Sequence, residues 1–143
     1  MTGTEESVAE PQPSVEGSLV LLYIEDNVAS VEVMEAVLEL RPAWRFVHAG
    51  LIKTGMEAAH THRPDLILLD MNLPDGSGAQ ALVELKTDPV TRDVPVVILT
   101  AGTTAKNTTS LLGAGADQFW TKPHDLGLML AYFDQVASRS QSG

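Results

Sequence analysis

Three runs of apolar residues constrain the fold of this chain more than any other feature of its sequence. The runs lie in LVLLYI (19–24), DLILLD (65–70) and VVILT (96–100). They have the length of strands, and their apolar residues are consecutive rather than alternating with polar ones. A strand of this kind is buried on both faces, which is typical of a parallel sheet covered by helices on both sides.

Segments with helical spacing separate these strands along the chain. Val31, Met34 and Leu38, for example, recur at helical spacing behind Asp26 or Asn27, either of which can cap the helix. The full prediction adds strands at 44–48 and 117–121 and places helices near 28–38, 51–62, 78–87, 104–112 and 125–137. This alternation predicts an α/β fold, a three-layer, doubly wound (βα)5 domain with a five-stranded parallel sheet.

The 143 residues of the chain are enough for one domain. Residues 1–18 are rich in Glu, Ser and Pro and contain little to bury, so we predict a disordered tail or linker there. The domain is predicted to cover residues 19–138, and residues 139–143 are predicted to form a frayed C-terminus.

Charge and composition argue against several classes of partner. The formal net charge is −10, and such a charge repels the phosphates of nucleic acids. No apolar run approaches the roughly 18 residues of a membrane span, and the N-terminus lacks the features of a secretory signal. The absence of cysteine suits a reducing compartment. We therefore expect a cytoplasmic protein that binds neither nucleic acid nor membranes.

Polar side chains stand where four of the predicted strands end. Glu25 and Asp26 follow the first strand, Asp70 ends the third, Thr100 ends the fourth and Lys122 follows the fifth. Because the carboxyl ends of parallel strands meet at one edge of the sheet, we expect these side chains to lie together. Three carboxylates at one edge repel one another unless a cation lies between them, and carboxylate oxygens suit Mg²⁺.

This set of side chains has the components of phosphoryl transfer to a carboxylate. An aspartate at a rigid strand end can attack phosphorus and become an aspartyl phosphate. Mg²⁺, the Lys122 ammonium and the Thr100 hydroxyl would supply the positive charge and the hydrogen bonds that the transferred group needs. The sequence therefore predicts that Asp70 is phosphorylated.

Four motifs follow one another along the chain, namely IEDN (24–27), LILLDMNLPDGSG (66–78), VVILTA (96–101) and GADQFWTKP (115–123). In this order they resemble the motifs of response regulator receiver domains, the family of the chemotaxis response regulator in two-component signalling. The resemblance covers about residues 19–138. It implies a flavodoxin-like sheet with strand order 2-1-3-4-5.

Carried over by position, the resemblance makes Asp70 the phosphoacceptor. It assigns the Mg²⁺ site to Asp26 as a direct ligand, to Glu25 acting largely through water, to Asp70 and to the backbone carbonyl of Asn72. Glu25 stands where many family members have a second Asp, a change that should preserve metal binding.

The remaining implied roles concern the phosphoryl group and the switch. Lys122 would pair with the phosphoryl oxygens and form a cis peptide bond with Pro123. Thr100 would bind the phosphoryl group and act with Phe119 as the switch pair. Phe119 has no hydroxyl, so it can move between rotamers but cannot signal through a tyrosine hydrogen bond.

The resemblance implies a phosphoacceptor signalling domain that catalyses only its own phosphorylation and slow autodephosphorylation. The phosphoryl donor would be a histidine kinase or a phosphotransfer protein. The responding face would consist of the predicted fourth helix, fifth strand and fifth helix, where family members bind partners or form homodimers. Whether the receiver acts alone or belongs to a hybrid kinase stays open.

Two other functions compete with this one. A pseudo-receiver would serve only as a binding or dimerisation module, but such a protein is expected to lack an acid, the phosphoacceptor or the lysine, and all are present here. A phosphatase of the haloacid dehalogenase type also uses a strand-end aspartate with Mg²⁺. That class normally has a second acid two residues later, where this chain has Asn72.

Overall fold

Strands and helices alternate along the chain in the computed structural model, which describes residues 19–100, 112–121 and 125–142. The strands are β1 Leu19–Ile24, β2 Trp44–Ala49, β3 Leu66–Asp70, β4 Asn72–Leu73, β5 Gly76–Ser77, β6 Val96–Thr100 and β7 Gln118–Thr121. The helices assigned in the described ranges are α1 Val28–Leu38, α2 Ile52–His62, α3 Gly78–Thr87 and α4 Leu126–Ser142. The predicted tail lies outside these ranges, as do residues 104–111 of the predicted helix near 104–112. Lys122 and Pro123 also lie outside them.

Five of the strands form one parallel sheet in the order β2-β1-β3-β6-β7. Counted over these five strands alone, the order is 2-1-3-4-5, so the predicted flavodoxin-like topology is confirmed. The two short strands β4 and β5 pair antiparallel with each other as a separate hairpin. The sequence analysis did not predict this hairpin, because two-residue strands are too short to show a period.

The sheet separates two hydrophobic clusters. Residues of β1 and β3 alternate between them, because neighbouring side chains on a strand point to opposite faces. The cluster on the α1 and α4 face includes Leu21, Tyr23, Met34, Leu38, Leu66, Leu68, Leu99, Met129 and Phe133. The cluster on the α2 and α3 face includes Leu22, Ile24, Ile52, Ala59, Ile67, Leu69, Leu82, Leu85 and Ile98.

Two helices differ from the general pattern, in which a residue next to the helix caps its first turn. Helix α2 has a distant cap, and helix α4 is longer than predicted. Asn27, rather than Asp26, caps α1, since its side chain accepts a hydrogen bond from the Ser30 amide at 2.9 Å. Helix α4 continues to Ser142 instead of ending near Ala137, so it includes most of the predicted frayed terminus. No glycine or proline interrupts residues 138–142. The exception is α2, which has a local bond from the Leu51 amide to Thr54 Oγ1 at 3.3 Å and is also capped by a distant hairpin described below.

Two aspartates secure the amino-terminal end of the sheet. The Asp65 carboxylate accepts the Val20 amide at 2.8 Å, and the Asp65 amide donates to the Val20 carbonyl at 2.8 Å. Asp117 makes the same pair of 2.8 Å bonds with Val96. Each aspartate therefore joins the start of one strand to its neighbour.

No helix among the described residues is both long and apolar enough to cross a membrane.

Candidate functional site

Three carboxylates converge at the carboxyl end of the sheet. One oxygen each of Glu25, Asp26 and Asp70 lies within 4.8 Å of the others. Glu25 is 1% exposed and Asp70 is 7% exposed, whereas Asp26 is open to solvent. The cause is the register of β1 and β3, which pairs Ile24 with Leu69 and so places the next residues of both strands side by side.

Both oxygens of the buried Glu25 carboxylate accept hydrogen bonds. The Tyr23 hydroxyl donates to Oε1 at 3.2 Å, and the Asn27 amide donates to Oε2 at 3.2 Å. The Glu25 backbone is also fixed, since its amide donates to the Ala49 carbonyl at 3.0 Å and its carbonyl lies 2.7 Å from His48 Nε2. Glu25 therefore sits in a defined position at the edge of the sheet.

The Tyr23 phenol keeps its proton at neutral pH. Burial in the core raises its pKa well above the usual value, and the negative charges of Glu25 and Asp70 raise the pKa further. The hydroxyl is therefore the donor in its bond with Glu25.

The backbone around Asp70 leaves no room for a side chain at position 78. The Met71 amide donates to the Leu99 carbonyl at 3.1 Å, and the Gly78 amide donates to the Met71 carbonyl at 2.7 Å. A Cβ atom at Gly78 would lie 2.5 Å from the Asp70 carbonyl oxygen. Glycine thus allows the start of α3 to pack directly on the residue that carries the carboxylate.

The hairpin after Asp70 carries Asn72 and is anchored to α2. Asn72 pairs with Ser77 across the two short strands. At the turn, the two carboxylate oxygens of Asp75 accept the Ile52 and Lys53 amides at 2.8 and 3.1 Å. These bonds cap α2 and lower the pKa of Asp75 below its usual range.

The predicted switch residues occupy neighbouring strands. Thr100 ends β6 with its side chain buried, and it pairs in register with Thr121 of β7. Phe119 is half-buried in β7 and lines a cavity of about 180 Å³. The other residues that line it are Trp120, Thr121, Asp125, Leu128 and Met129. Lys122, predicted to pair with the phosphoryl group, and Pro123 fall outside the described residues.

The donor set fits a hard divalent cation. Three carboxylates within reach of one another offer oxygen ligands only, which Mg²⁺ prefers over nitrogen and sulfur. A cation would also relieve the repulsion among three negative charges, two of which are buried.

Sequence reasoning missed several residues that support this site, namely Tyr23, His48, Asp75 and Gly78. The signal for Tyr23 was a phenol in an aliphatic strand, two residues before Glu25 and therefore on the same face. No comparable pattern pointed to His48 or Asp75, because their partners are 23 and 22 to 23 positions away.

Comparison with known proteins agrees with the fold. Residues 21–134 match the family model described as the response regulator receiver domain. The chain therefore belongs to the family of receiver domains of two-component response regulators.

Curated relatives include two transcriptional regulators from Escherichia coli strain K12. The phosphate regulon transcriptional regulatory protein PhoB is 36% identical over 119 residues, which cover 83% of this chain and 52% of PhoB. The KDP operon transcriptional regulatory protein KdpE is 34% identical over 122 residues, which cover 85% of this chain and 52% of KdpE. The chain thus spans about half the length of these relatives.

Solved structures include two receiver domains with the same fold. The receiver domain of the DNA-binding response regulator merR from Colwellia psychrerythraea 34H has a TM-score of 0.80 at 24% identity, covering 84% of this chain and 98% of that one. The receiver domain of sensor histidine kinase PA1611 from Pseudomonas aeruginosa PAO1 has a TM-score of 0.73 at 26% identity, covering 82% and 95%. The latter is described with a magnesium ion coordinated in its active site cleft.

Proposed function

We propose that the chain accepts a phosphoryl group on Asp70 from the phosphohistidine of a histidine kinase or a phosphotransfer protein. The observation that carries this proposal is the convergence of Glu25, Asp26 and Asp70 at the carboxyl end of the sheet. Membership of the receiver family supports it. Asp70 is buried at the end of β3, where its backbone pairs in register with Leu99 of β6, and a nucleophile held on such a strand end supports the proposal.

Glu25, Asp26, Asp70 and the backbone carbonyl of Asn72 would hold Mg²⁺. When bound, the ion would neutralise negative charge on the carboxylates and on the incoming phosphoryl oxygens. The described magnesium of the PA1611 receiver supports this choice of metal.

In the transfer step, a carboxylate oxygen of Asp70 forms a bond to phosphorus while the phosphorus–nitrogen bond to the donor histidine breaks. The electron pair of that bond stays on the imidazole, which takes up a proton. The Thr100 hydroxyl and the Lys122 ammonium would bind the phosphoryl oxygens as charge develops on them. Attack of water on phosphorus later releases inorganic phosphate and restores the carboxylate.

The output would be a rearrangement near β7. Phosphoryl contacts would draw Thr100 inward, and Phe119 would move into the space released, aided by the cavity that it lines. The predicted fourth helix, β7 and α4 would then present an altered face to a protein partner or to a second copy. The net charge of −10 supports a protein partner over nucleic acid for this chain.

Beryllofluoride tests the proposal because it forms a phosphoryl mimic on a competent aspartate. With Mg²⁺ present, we expect amide NMR shifts near Asp26, Thr100 and Phe119 in the wild-type chain. The Asp70→Asn variant should show none of the beryllofluoride shifts. Asp117→Asn changes an aspartate at the opposite end of the sheet and should respond like the wild type.

An unchanged wild-type spectrum in saturating Mg²⁺ and beryllofluoride would contradict phosphorylation of Asp70. The pseudo-receiver function would then replace it.

A further inference from the structure

Tyr23 is a polar group in the core that the proposed phosphoryl transfer does not use. Strand β1 is otherwise aliphatic, and Tyr23 is fully buried in it. A buried hydroxyl needs a partner, since a buried donor without one destabilises the folded chain. Its partner here is Glu25 Oε1, at 3.2 Å.

Packing fixes the place of this hydroxyl. The Tyr23 ring lies edge-on to Phe46, with ring centroids 6.3 Å apart and planes at 62°. Met34 and Leu38 of α1 belong to the same hydrophobic cluster. The phenol therefore approaches the carboxylate from a rigid core rather than from a mobile surface.

The Glu25 side chain needs such a support more than an aspartate would. It has one more rotatable bond than aspartate, so its carboxylate has more positions to choose from. The Tyr23 hydroxyl, which lies in the core, donates to one of its oxygens. The Asn27 amide, in the turn after β1, donates to the other. Together they hold the carboxylate in the position where it lies beside Asp26 and Asp70.

We propose that Tyr23 is a positioning residue for the divalent-cation site, acting through its hydrogen bond to Glu25. The inference rests on the proposed Mg²⁺ site and adds a residue from the core to it. Groups that orient metal-binding carboxylates typically contribute 10-fold to 100-fold in metal affinity. The Tyr23 hydroxyl does so without contacting the ion.

The variant Tyr23→Phe removes only the hydroxyl and keeps the ring. We expect its Mg²⁺ dissociation constant, from amide NMR titration, to rise about 10-fold over the wild type. Once Mg²⁺ is saturating, beryllofluoride should produce the same spectral change as in the wild type. If Tyr23 only positions the metal site, half-saturation should move to a higher Mg²⁺ concentration while the amide shifts at saturation stay the same. General damage to the fold would change the shifts at saturation as well.

Tyr132→Phe is the matched control. Tyr132 is also a buried tyrosine, packed edge-on against Trp120 with centroids 5.7 Å apart, but it belongs to α4 and lies by Arg139 and Asp117. We expect its Mg²⁺ dissociation constant to stay within about twofold of the wild type, because its hydroxyl does not touch the acidic cluster.

A double-mutant cycle tests whether the hydroxyl acts through Glu25. In Glu25→Asp the carboxylate is one methylene shorter and withdraws from the phenol. Adding Tyr23→Phe to this variant should then change the Mg²⁺ dissociation constant by less than about twofold.

Three results would overturn the inference: an unchanged Mg²⁺ affinity in Tyr23→Phe, a tighter one, or an equal loss with and without Glu25→Asp. Failure of the proposed Mg²⁺ site looks different, because the wild-type chain itself would then bind no Mg²⁺. Failure of the proposed phosphorylation differs again, because the wild type would then bind Mg²⁺ but give no spectral change with beryllofluoride. If the wild type binds Mg²⁺ and Tyr23→Phe binds it equally well, the site stands and only the role of Tyr23 fails.

Discussion

Carboxylates occupy both ends of the sheet, but they are arranged in opposite ways. At the amino-terminal end, Asp65 and Asp117 each accept a backbone amide of a neighbouring strand. At the carboxyl end, Glu25, Asp26 and Asp70 crowd within 4.8 Å of one another. The same chemical group thus secures strands at one end and accumulates charge at the other.

The difference shows how position decides the role of an acid. A carboxylate that binds a backbone donor contributes to folding directly, because it satisfies a polar group that would otherwise be buried unpaired. A cluster of carboxylates raises the energy of the folded chain until a cation joins it. Loss of an acid should therefore reduce stability at the amino-terminal end and reduce binding at the carboxyl end.

The largest effect is expected from Gly78→Ala at the carboxyl end. The new Cβ would meet the Asp70 carbonyl at 2.5 Å and Met71 Cα at 2.9 Å, both on the backbone. We expect a loss of about 3 kcal/mol in the free energy of unfolding, measured in urea. Gly113→Ala is the control, since nothing lies within 4 Å of a Cβ there. An equal loss in the two variants would show that the contact at Asp70 is not the cause.

At the amino-terminal end of the sheet, Asp117→Ala should lower the free energy of unfolding by about 2 kcal/mol. It removes the acceptor of the Val96 amide, which lies in the core, together with the 3.4 Å contact to Lys86. Urea denaturation measures the loss, and Mg²⁺ titration should give the wild-type affinity. If Asp117→Ala kept the stability of the wild type and bound Mg²⁺ more weakly, the acid at the amino-terminal end would contribute to binding and not to folding, contrary to the comparison.

Asp26→Asn removes one charge from the crowded end. Without Mg²⁺ the variant should melt at a temperature about 3 °C higher than the wild type, because repulsion within the cluster falls. Added Mg²⁺ should stabilise the wild type more than the variant, since only ligand that binds the folded chain raises its melting temperature. Thermal melts with and without Mg²⁺ measure both effects. A lower melting temperature without Mg²⁺ would contradict repulsion among these acids.

The smallest effect concerns pH and involves two other aspartates, Asp75 in the hairpin that caps α2 and Asp88, which directly follows α3. The pKa of Asp88 is lowered by the Val90 amide and then by His60, as the pKa of Asp75 is lowered by the two amides of α2. A lowered folded-state pKa adds stability that is complete above the unfolded value of about 3.9 and is lost as pH falls through the folded value.

Asp88→Asn should therefore lose less stability than the wild type on acidification from pH 5 to pH 3, as measured by urea denaturation at each pH. Asp75→Asn should behave in the same way. If both variants lose as much stability as the wild type, these two carboxylates do not contribute to the loss of stability between pH 5 and pH 3.

Much of the fold was predictable because its strands are buried on both faces. Continuous apolar runs predicted β1, β3 and β6 within a residue, and the parallel topology followed from the helices between them. The β4 and β5 hairpin was not predicted, since strands of two residues are too short to show a period. The end of α4 was misplaced because polar residues can continue a helix without an apolar period.

The site was predictable as far as strand ends indicate it. The carboxyl ends of parallel strands lie at one edge of the sheet, so the positions of Glu25, Asp26 and Asp70 after the first and third strands predicted that they would lie together. The structure places them together. It did not indicate which atoms hold Glu25, because the bonds from Tyr23 and Asn27 depend on the direction of the side chain and on the turn that follows the strand.

The distant cap of α2 has a consequence for the order in which the chain folds. Helices α1, α3 and α4 are capped by Asn27, Ser77 and Asp125, each adjacent to the helix that it caps. The first turn of α2 is instead capped by Asp75, whose partner Ile52 is 23 positions away. Its cap must wait until the intervening loop closes, which costs chain entropy. Among the helices assigned in the described residues, α2 is therefore the one whose first turn draws capping from a distant hairpin, in addition to the local bond from the Leu51 amide to Thr54 Oγ1.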